Sequence, residues 1–340
     1  MNQDREPMAR SAPRPCEMAI CAANVAVDVS IIVVNWNTLA LLRDCLRSIE
    51  EQTTGLLYEV IVVDNGSVDG SPEMVESEFP RVCLIRNQEN WGFAAANNQG
   101  IQIARGEFVL LLNSDTRVLD HALVRAVAFA RAHADTAVVG CRTLLPDGSI
   151  QHNCYLFPSL LNLALSLSRL SAAFPRNRFF GRARLTWWDY DTPREVDVVA
   201  GCFMLVRRAA LDQVGEMSER FYMYSEDTEW CWRFHRHGWK VRYTPDAVII
   251  HHMRGSTSQC AEPMRVLERR SMLMFMEQRS GRWARWAANA MFACSALVRL
   301  ASLAPRRLLG KTAEPAHAAT WELTRAALRF HLLGQMPAIP

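Results

Sequence analysis

The feature that most constrains the fold is a repeated pairing of a short apolar run with a helix-like segment. Residues 29–34 (VSIIVV) and 108–112 (FVLLL) are β-branched or apolar runs typical of strands buried on both faces of a parallel sheet. Shorter runs at residues 60–63 and 82–85 are of the same kind. Apolar residues recur at helical spacing between the runs, and Thr38 is placed to cap the first helix. The alternation predicts an α/β fold with a mostly parallel central sheet flanked by helices.

Three of the predicted strands end in amide or carboxylate side chains, namely Asn35 and Asn37, Asp64 and Asn65, and Asn113 and Asp115. Each could be structural, because Asn and Asp are favoured turn formers. In sheets of this class, however, ligands bind beyond the carboxyl ends of the strands. The coincidence of three polar strand ends therefore favours a nucleotide site. The first strand lacks the glycine-rich turn of dinucleotide-binding enzymes, which argues against an NAD enzyme.

A predicted helix after residue 225 begins with an acidic turn. Apolar residues three, four and seven positions after Asp227 share one face of this helix, and Gly238 ends it. Glu226 and Asp227 then lie at the positive end of the helix dipole, which favours an ionised carboxylate able to act as a base. The alternative is that the pair only caps a surface helix. A strand around residues 248–250 leads to His251.

Composition limits the compartment and the partners. The ten cysteines form no Cys-x-x-Cys pair, which indicates core thiols of a reducing compartment rather than a zinc ribbon or a disulfide framework. A net charge of +3 gives no support to a nucleic-acid partner. Residues 1–27 are predicted to be a disordered extension without a secretory signal, which predicts a cytoplasmic protein.

The C-terminal region, residues 263–340, has a different character from the rest of the chain. Tryptophan, leucine and arginine are interleaved there, and residues 286–304 approach the length of a membrane span but contain Arg299. The pattern predicts amphipathic helices that lie in a membrane interface. The alternative is a helical pair that packs on the preceding domain or on another subunit. Residues 143–193 are irregular and could hold either a substrate loop or a variable insertion.

The order of the motifs resembles that of family-2 inverting glycosyltransferases, in the branch that includes bacterial rhamnosyltransferases of cell-surface polysaccharide synthesis. The matching segments are VSIIVVNWN (29–37), VIVVDNGSVDGS (60–71), NWGFAAANNQG (90–100), LLLNSD (110–115), VVAGCFMLVRR (198–208), FYMYSEDTEWCWR (221–233) and HHMRGSTS (251–258). The resemblance implies a nucleotide-sugar-binding domain of the GT-A type over residues 28–262.

The resemblance also implies roles for acidic residues. Asp227 looks like the base that takes the acceptor proton, with Glu226 as a supporting acid or a contact to the acceptor. Asp115 matches the metal-binding aspartate of the family, and His251 matches a later histidine that completes the shell of a manganese or magnesium ion. Asn113 stands where the family has a first aspartate, so only ribose or water-mediated contact is expected of it.

The nucleotide site implied by the resemblance comprises Asn35, Asn37, Asp64, Asn65, Asp69, Asn90, Gly92 and Asn113. The expected donor is dTDP-rhamnose or a UDP-sugar, and the expected acceptor is a glycan or a lipid-linked glycan at the inner face of the cytoplasmic membrane. A sugar nucleotidyltransferase is a rival reading, but residues 36–44 offer no glycine or lysine for its phosphate loop. A degenerate relative that binds saccharide without catalysis is a second rival, because of Asn113.

Overall fold

The computed structural model describes residues 26–253, 261–308 and 315–334. The predicted disordered extension lies almost wholly outside the described residues, as does the second half of the HHMRGSTS motif. The strands are β1 (Val29–Asn35), β2 (Tyr58–Asn65), β3 (Cys83–Asn87), β4 (Phe108–Asn113), β5 (Thr116–Leu119), β6 (Thr136–Leu144), β7 (Cys154–Tyr155), β8 (Arg194–Glu195), β9 (Val198–Val199), β10 (Phe203–Arg207) and β11 (Lys240–His251). The helices are α1 (Leu39–Gln52), α2 (Ser71–Glu78), α3 (Phe93–Ile103), α4 (Ala122–Ala132), α5 (Leu160–Leu167), α6 (Leu170–Ala173), α7 (Arg208–Val214), α8 (Glu226–Arg236), α9 (Ala261–Ser280), α10 (Arg282–Leu308) and α11 (Pro315–Leu333).

The main sheet has the strand order β3-β2-β1-β4-β10-β6-β11-β5, with β8 added beside β11. Strands β3, β2, β1 and β4 are mutually parallel, and β11 is parallel to β6. Strand β10 runs antiparallel to both of its neighbours. The carboxyl ends of β1, β2 and β4 therefore meet at one edge, where the sequence predicted a ligand site.

Helices cover both faces of this sheet because its strands are apolar on both sides. Ile31 and Val33 of β1 face a cluster with α1, α2 and α4. Ile32, between them, faces a second cluster with α3, α7 and α8, as the two-residue period of a strand requires. The architecture confirms the predicted α/β class, with a central sheet flanked by helices and a C-terminal helical region.

Helix α8 follows the predicted pattern closely. Trp230, Cys231 and Phe234 are fully buried in the core, and Glu226 and Asp227 occupy the first turn. The helix ends at Arg236, and Gly238 follows with a φ of 82°, in the left-handed region that commonly terminates a helix.

Thr38 does not cap α1 through its side chain. Its hydroxyl instead donates to Asn35 Oδ1 at 2.6 Å and lies 3.0 Å from Ser114 Oγ. The predicted cap is wrong because the hydroxyl is used to join two strand ends.

The C-terminal helices pack on one another and on the main domain. Phe275 of α9 is fully buried in the core beside α8, and Leu273 and Met276 pack with Phe292 of α10 and Leu163 of α5. The helices therefore pack on the preceding domain, as the alternative to membrane-interface helices predicted. Part of α10 nevertheless remains exposed to solvent.

Candidate active site

The ends of β1, β2 and β4 are joined by a polar network. Asn35 Nδ2 donates to Asp64 Oδ1 at 2.9 Å and to Ser67 Oγ at 3.1 Å. Asp64 Oδ2 accepts from the Ser67 backbone N–H at 2.9 Å. Thr38 extends the network to Ser114, the residue before Asp115. Asn35 and Asp64 are both buried, so these contacts fix the floor of the predicted nucleotide site.

Asn37 and Asp69 lie in the loops above this floor and hold those loops together. Asn37 has a φ of 53°, and its Oδ1 accepts from the Val68 backbone N–H at 2.8 Å. Asp69 Oδ2 accepts from the Leu39 N–H at 2.8 Å, and its Oδ1 accepts from Ser71. Their observed contacts are internal, and a role in ligand binding stays a prediction for both.

A second group of the residues predicted to bind the nucleotide connects β2 to the segment before α8. Asn65 Nδ2 donates to Asn90 Oδ1 and to the Gly92 carbonyl oxygen, each at 3.2 Å. Gly92 has a φ of 83°, and a Cβ there would lie 2.3 Å from the Tyr222 carbonyl oxygen. Only glycine fits this approach. Tyr222 thereby brings the acidic helix against the predicted nucleotide loops, through a hydrogen bond from the Phe93 N–H to its carbonyl at 3.1 Å.

The turn after β4 and the end of β11 bring Asp115 and His251 together. Strand β11 is paired with β5 so that His251 lies opposite Thr116. His251 Nε2 is 3.0 Å from Asp115 Oδ1, and both residues are 8 % exposed. Asn113 Nδ2 lies 3.4 Å from the same Nε2 atom. All three predicted residues of this part of the site are therefore neighbours.

Asp115 and His251 could occupy two coordination positions of one divalent ion. A carboxylate oxygen and an imidazole nitrogen are ligands of manganese, and two acceptor atoms at this separation can share one cation. The described residues hold no group of three or more His, Cys, Asp or Glu side chains placed to share an ion.

Asp227 is held at the start of α8 by hydrogen-bond donors on both carboxylate oxygens. Oδ2 accepts from the Gly201 N–H at 3.1 Å, and Oδ1 accepts from the Thr228 N–H at 2.6 Å and from Thr228 Oγ1 at 3.1 Å. Burial raises the pKa of the Asp227 carboxyl above its usual value, against the opposing effect of these donors. The arrangement gives an oriented carboxyl with an increased affinity for a proton.

Glu226 differs from the expectation of an ionised pair. It is 6 % exposed, and its Oε2 atom is buried without a hydrogen-bond partner. Burial raises the pKa of the Glu226 carboxyl well above its usual value, and the neighbouring Asp227 raises it further. The helix dipole acts at this position, but burial of Glu226 opposes its ionisation, so the two carboxyls expected as an ionised pair have unlike surroundings.

Gly201 and Cys202 connect the region of Asp115 to that of Asp227. The Gly201 N–H donates to Asp227, and the Cys202 carbonyl oxygen accepts from the Asn113 N–H at 3.2 Å. Burial raises the pKa of the Cys202 thiol to about 12, and both Asp115 and Asp227 contribute to that rise. Hydrogen bonds of the adjacent residues Gly201 and Cys202 therefore reach the Asp227 carboxylate at the start of α8 and the Asn113 backbone at the end of β4.

Gly201 has a second neighbour that the sequence did not indicate. A Cβ at this glycine would lie 3.2 Å from the ring of Phe93 and 3.9 Å from Asp227 Oδ2. The close approach at this glycine is made by α3 and α8.

No role was predicted from the sequence for Gln151 or for Tyr222, although Tyr222 lies within the FYMYSEDTEWCWR segment. Gln151 Oε1 lies 2.9 Å from His251 Nδ1, and Tyr222 covers Gly92. No periodicity or motif marks Gln151, because it stands in the irregular segment after β6. The glycine at position 92, where a side chain would clash, was the available signal for Tyr222.

The chain matches the sequence model of "Glycosyl transferase family 2" over residues 30–215. It is 30 % identical over 244 residues to an N-acetylglucosaminyl-diphospho-decaprenol L-rhamnosyltransferase of Mycobacterium tuberculosis, with 67 % of this chain and 77 % of that protein covered.

Two solved structures share the fold. The mannosyltransferase PcManGT from Pyrobaculum calidifontis, in complex with GDP-Man and Mn2+, has a TM-score of 0.53 at 18 % identity, with 92 % of this chain and 89 % of that chain covered. GalNAc-T7 with UDP, GalNAc and Mn2+ has a TM-score of 0.51 at 16 % identity, with 66 % of this chain and 43 % of that chain covered. At these sequence identities the structural similarity shows only that the fold is shared, and it confirms the predicted GT-A type.

Proposed function

The chain belongs to glycosyl transferase family 2, and we propose that it transfers L-rhamnose from a nucleotide-diphosphate donor to a lipid-linked or polysaccharide acceptor, with inversion at the anomeric carbon. The observations that carry the proposal are the contact of Asp115 with His251 and the hydrogen bonds that join Asp227 to Gly201 and the end of β4 to the adjacent Cys202. A transferase of this kind needs a base for the acceptor and charge stabilisation for the departing diphosphate.

In the proposed reaction, Asp227 accepts the proton of the acceptor hydroxyl. The acceptor oxygen then forms a bond to the anomeric carbon, and the bond from that carbon to the diphosphate oxygen breaks with its electron pair on the diphosphate. The raised pKa of Asp227 increases its strength as a base, and the Gly201 and Thr228 donors keep the carboxylate in one orientation.

Asp115 and His251 are the residues that would hold a divalent ion, manganese in preference to magnesium because of the imidazole nitrogen. Such an ion supplies positive charge against the diphosphate that leaves. Both solved relatives in the comparison contain Mn2+. The amide and carboxylate residues at the ends of β1 and β2 would bind the nucleotide beside it.

Rhamnose as the sugar and a lipid-linked acceptor are supported by the mycobacterial relative alone. A dTDP donor in preference to UDP is supported only by the resemblance of the motifs to the rhamnosyltransferase branch. A thermal-shift panel of nucleotide diphosphates and nucleotide sugars with manganese distinguishes the donors. A response selective for dTDP and dTDP-rhamnose supports the rhamnosyl assignment. A response selective for UDP redirects it without affecting the roles of Asp115 and Asp227.

The central test of the proposal is Asp227→Asn. The amide keeps the shape of the side chain but cannot take a proton, so transfer falls by about 100-fold or more while donor binding remains. Asp212→Asn, on the exposed side of α7, is the matched control and retains transfer. Initial rates and calorimetric donor affinities measure the two properties. Unchanged turnover in Asp227→Asn would remove the residue from the role of base.

We also propose that α10 contacts an anionic membrane surface on the cytoplasmic side. Its solvent-facing side is apolar and follows helical spacing, through Trp283, Trp286, Ala290, Cys294, Leu297 and Ala301. The two tryptophans are 65 % and 76 % exposed. Exposed arginines at positions 282, 285 and 299 flank this side and complement anionic lipid headgroups.

The segment Arg282–Ala304 is long and apolar enough to cross a membrane, and it is the single such helix among the described residues. Its opposite side, which includes Ala288 and Phe292, is buried against α5 and α9. A helix already packed along one side suits an interfacial position better than a crossing one.

Co-sedimentation with vesicles of anionic phospholipid tests the membrane contact. The double variant Trp283→Ala and Trp286→Ala partitions more weakly than wild type, by roughly tenfold per tryptophan because each loses most of its buried apolar area. The matched control replaces Phe174 and Phe179, which are also about half exposed, by alanine. Equal sedimentation of both variants would place the anchor elsewhere, and a wild type that stays in the supernatant would exclude the contact.

A further inference from the structure

Gln151 is fixed in place by the edge of the main sheet. It follows the short bridge between Leu144 and Ile150, and its backbone N–H donates to the Thr143 carbonyl oxygen at 2.9 Å. Two residues later, the buried Asn153 donates to the Cys141 carbonyl oxygen and to Thr143 Oγ1, each at 2.8 Å. The backbone on both sides of Gln151 is thus attached to β6.

The side chain of Gln151 reaches the ring of His251 on the side away from Asp115. Gln151 Oε1 lies 2.9 Å from Nδ1, while Asp115 Oδ1 lies 3.0 Å from Nε2. An amide oxygen only accepts, so Nδ1 donates its proton to it. Asn113 Nδ2 lies 3.4 Å from the same Nε2 atom, farther away than Asp115 Oδ1.

A proton on Nδ1 that bonds to the Gln151 oxygen leaves the lone pair of Nε2 available on the Asp115 side of the ring. In this form, Nε2 and Asp115 Oδ1 are two acceptors that face each other at 3.0 Å. Two acceptors so placed are suited to a shared cation. The second hydrogen bond of a metal-binding histidine commonly fixes its ring in this way.

We propose that Gln151 is a positioning residue for the metal site: its Oε1 atom holds the His251 ring so that Nε2 is directed at the divalent ion beside Asp115. The inference rests on the divalent ion of the proposed function. It assigns a role to the irregular segment after β6, for which the sequence left a substrate loop and a variable insertion as open alternatives.

The test compares Gln151→Met, which removes the acceptor at similar length, with Gln151→Glu, which keeps an acceptor oxygen. Binding of Mn2+ to the full chain, in the presence of UDP or dTDP, is followed by the paramagnetic resonance signal of the free ion. Gln151→Met weakens Mn2+ affinity by about 10-fold or more, the usual cost of losing such a hydrogen bond. Gln151→Glu binds Mn2+ at least as tightly as wild type, because a carboxylate also accepts from Nδ1.

Gln102→Met, on the exposed side of α3, is the matched control and leaves Mn2+ binding unchanged. Thermal midpoints show whether each variant is folded. Equal affinity of Gln151→Met and wild type would overturn the inference and leave the metal site standing. Equal weakening by Gln151→Met and Gln151→Glu would also overturn it, since the oxygen acceptor would then be irrelevant. A wild type that binds no Mn2+ would overturn the metal in the proposed function and this inference with it.

Discussion

Two carboxylates of the candidate site, Asp115 and Asp227, have different surroundings. Asp115 stands beside an imidazole nitrogen, 3.0 Å from His251 Nε2. Asp227 receives N–H and O–H donors from Gly201 and Thr228 and has a buried carboxyl, Glu226, as its sequence neighbour.

The difference separates two kinds of chemistry. A carboxylate that faces another acceptor is arranged to share a cation, which fits the proposed metal site. A buried carboxyl with a raised pKa is arranged to exchange a proton, which fits the proposed base. The comparison predicts that variants at Asp115 change binding of the nucleotide, whereas variants at Asp227 change turnover.

The largest expected effect on nucleotide binding comes from Asp115→Ala. Loss of this ligand weakens manganese-dependent nucleotide-diphosphate binding and lowers transfer by about 100-fold, the scale of losing a major electrostatic contribution to the transition state. Calorimetry with and without Mn2+ measures the binding. Asp212→Ala serves as the control on α7. If the wild type bound the nucleotide equally well with and without Mn2+, the proposed metal site would be wrong. The proposed difference between Asp115 and Asp227 would then also be wrong.

A second expectation concerns the acid limb of the pH–rate profile. Only the ionised Asp227 can act as the base, so transfer falls about tenfold per pH unit below its pKa, which burial has raised. Thr228→Val removes a hydroxyl donor that lowers this pKa, so the limb moves to higher pH. A limb that stays in place in this variant, or moves to lower pH, would contradict the assignment of that limb to Asp227.

The smallest expected effect concerns Glu226. Because its pKa is raised in the folded state, the folded protein keeps the proton at pH values where the unfolded chain has lost it. The contribution of Glu226 to the free energy of unfolding is therefore fully present below the pKa of the unfolded state, about 4.5. It is lost as pH rises towards the pKa of the folded state.

Glu226→Gln cannot ionise, so it should stabilise the protein at pH 7 by on the order of 1 kcal/mol and have less effect near pH 4. Thermal or denaturant unfolding at both pH values measures this. The exposed Glu51→Gln is the matched control. A Glu226→Gln variant that is less stable than wild type at pH 7 would show that the carboxyl is ionised in the fold, as the sequence alone had suggested.

The sequence predicted much of the site because local patterns carry it. The buried runs that became β1, β2 and β4 end in Asn35, Asp64 and Asn113, and parallel strands bring such ends to one edge. The face of α8 that carries Trp230 was visible from helical spacing alone. The prediction that Thr38 caps α1 was wrong because a hydroxyl before a helix has more than one possible hydrogen-bond partner. The local sequence pattern does not show which partner it takes.

By itself, the sequence determined which segments form strands and helices and which polar residues stand at their ends, since both follow from local periodicity and turn chemistry. The tertiary structure decided the antiparallel course of β10, the contact between Asp115 and His251 across the β5–β11 pairing, and the second contact of that histidine with Gln151. It also decided the protonation tendency of Glu226. These depend on which segments distant in the chain exclude water from one another, and burial of that kind has no local signature in the sequence.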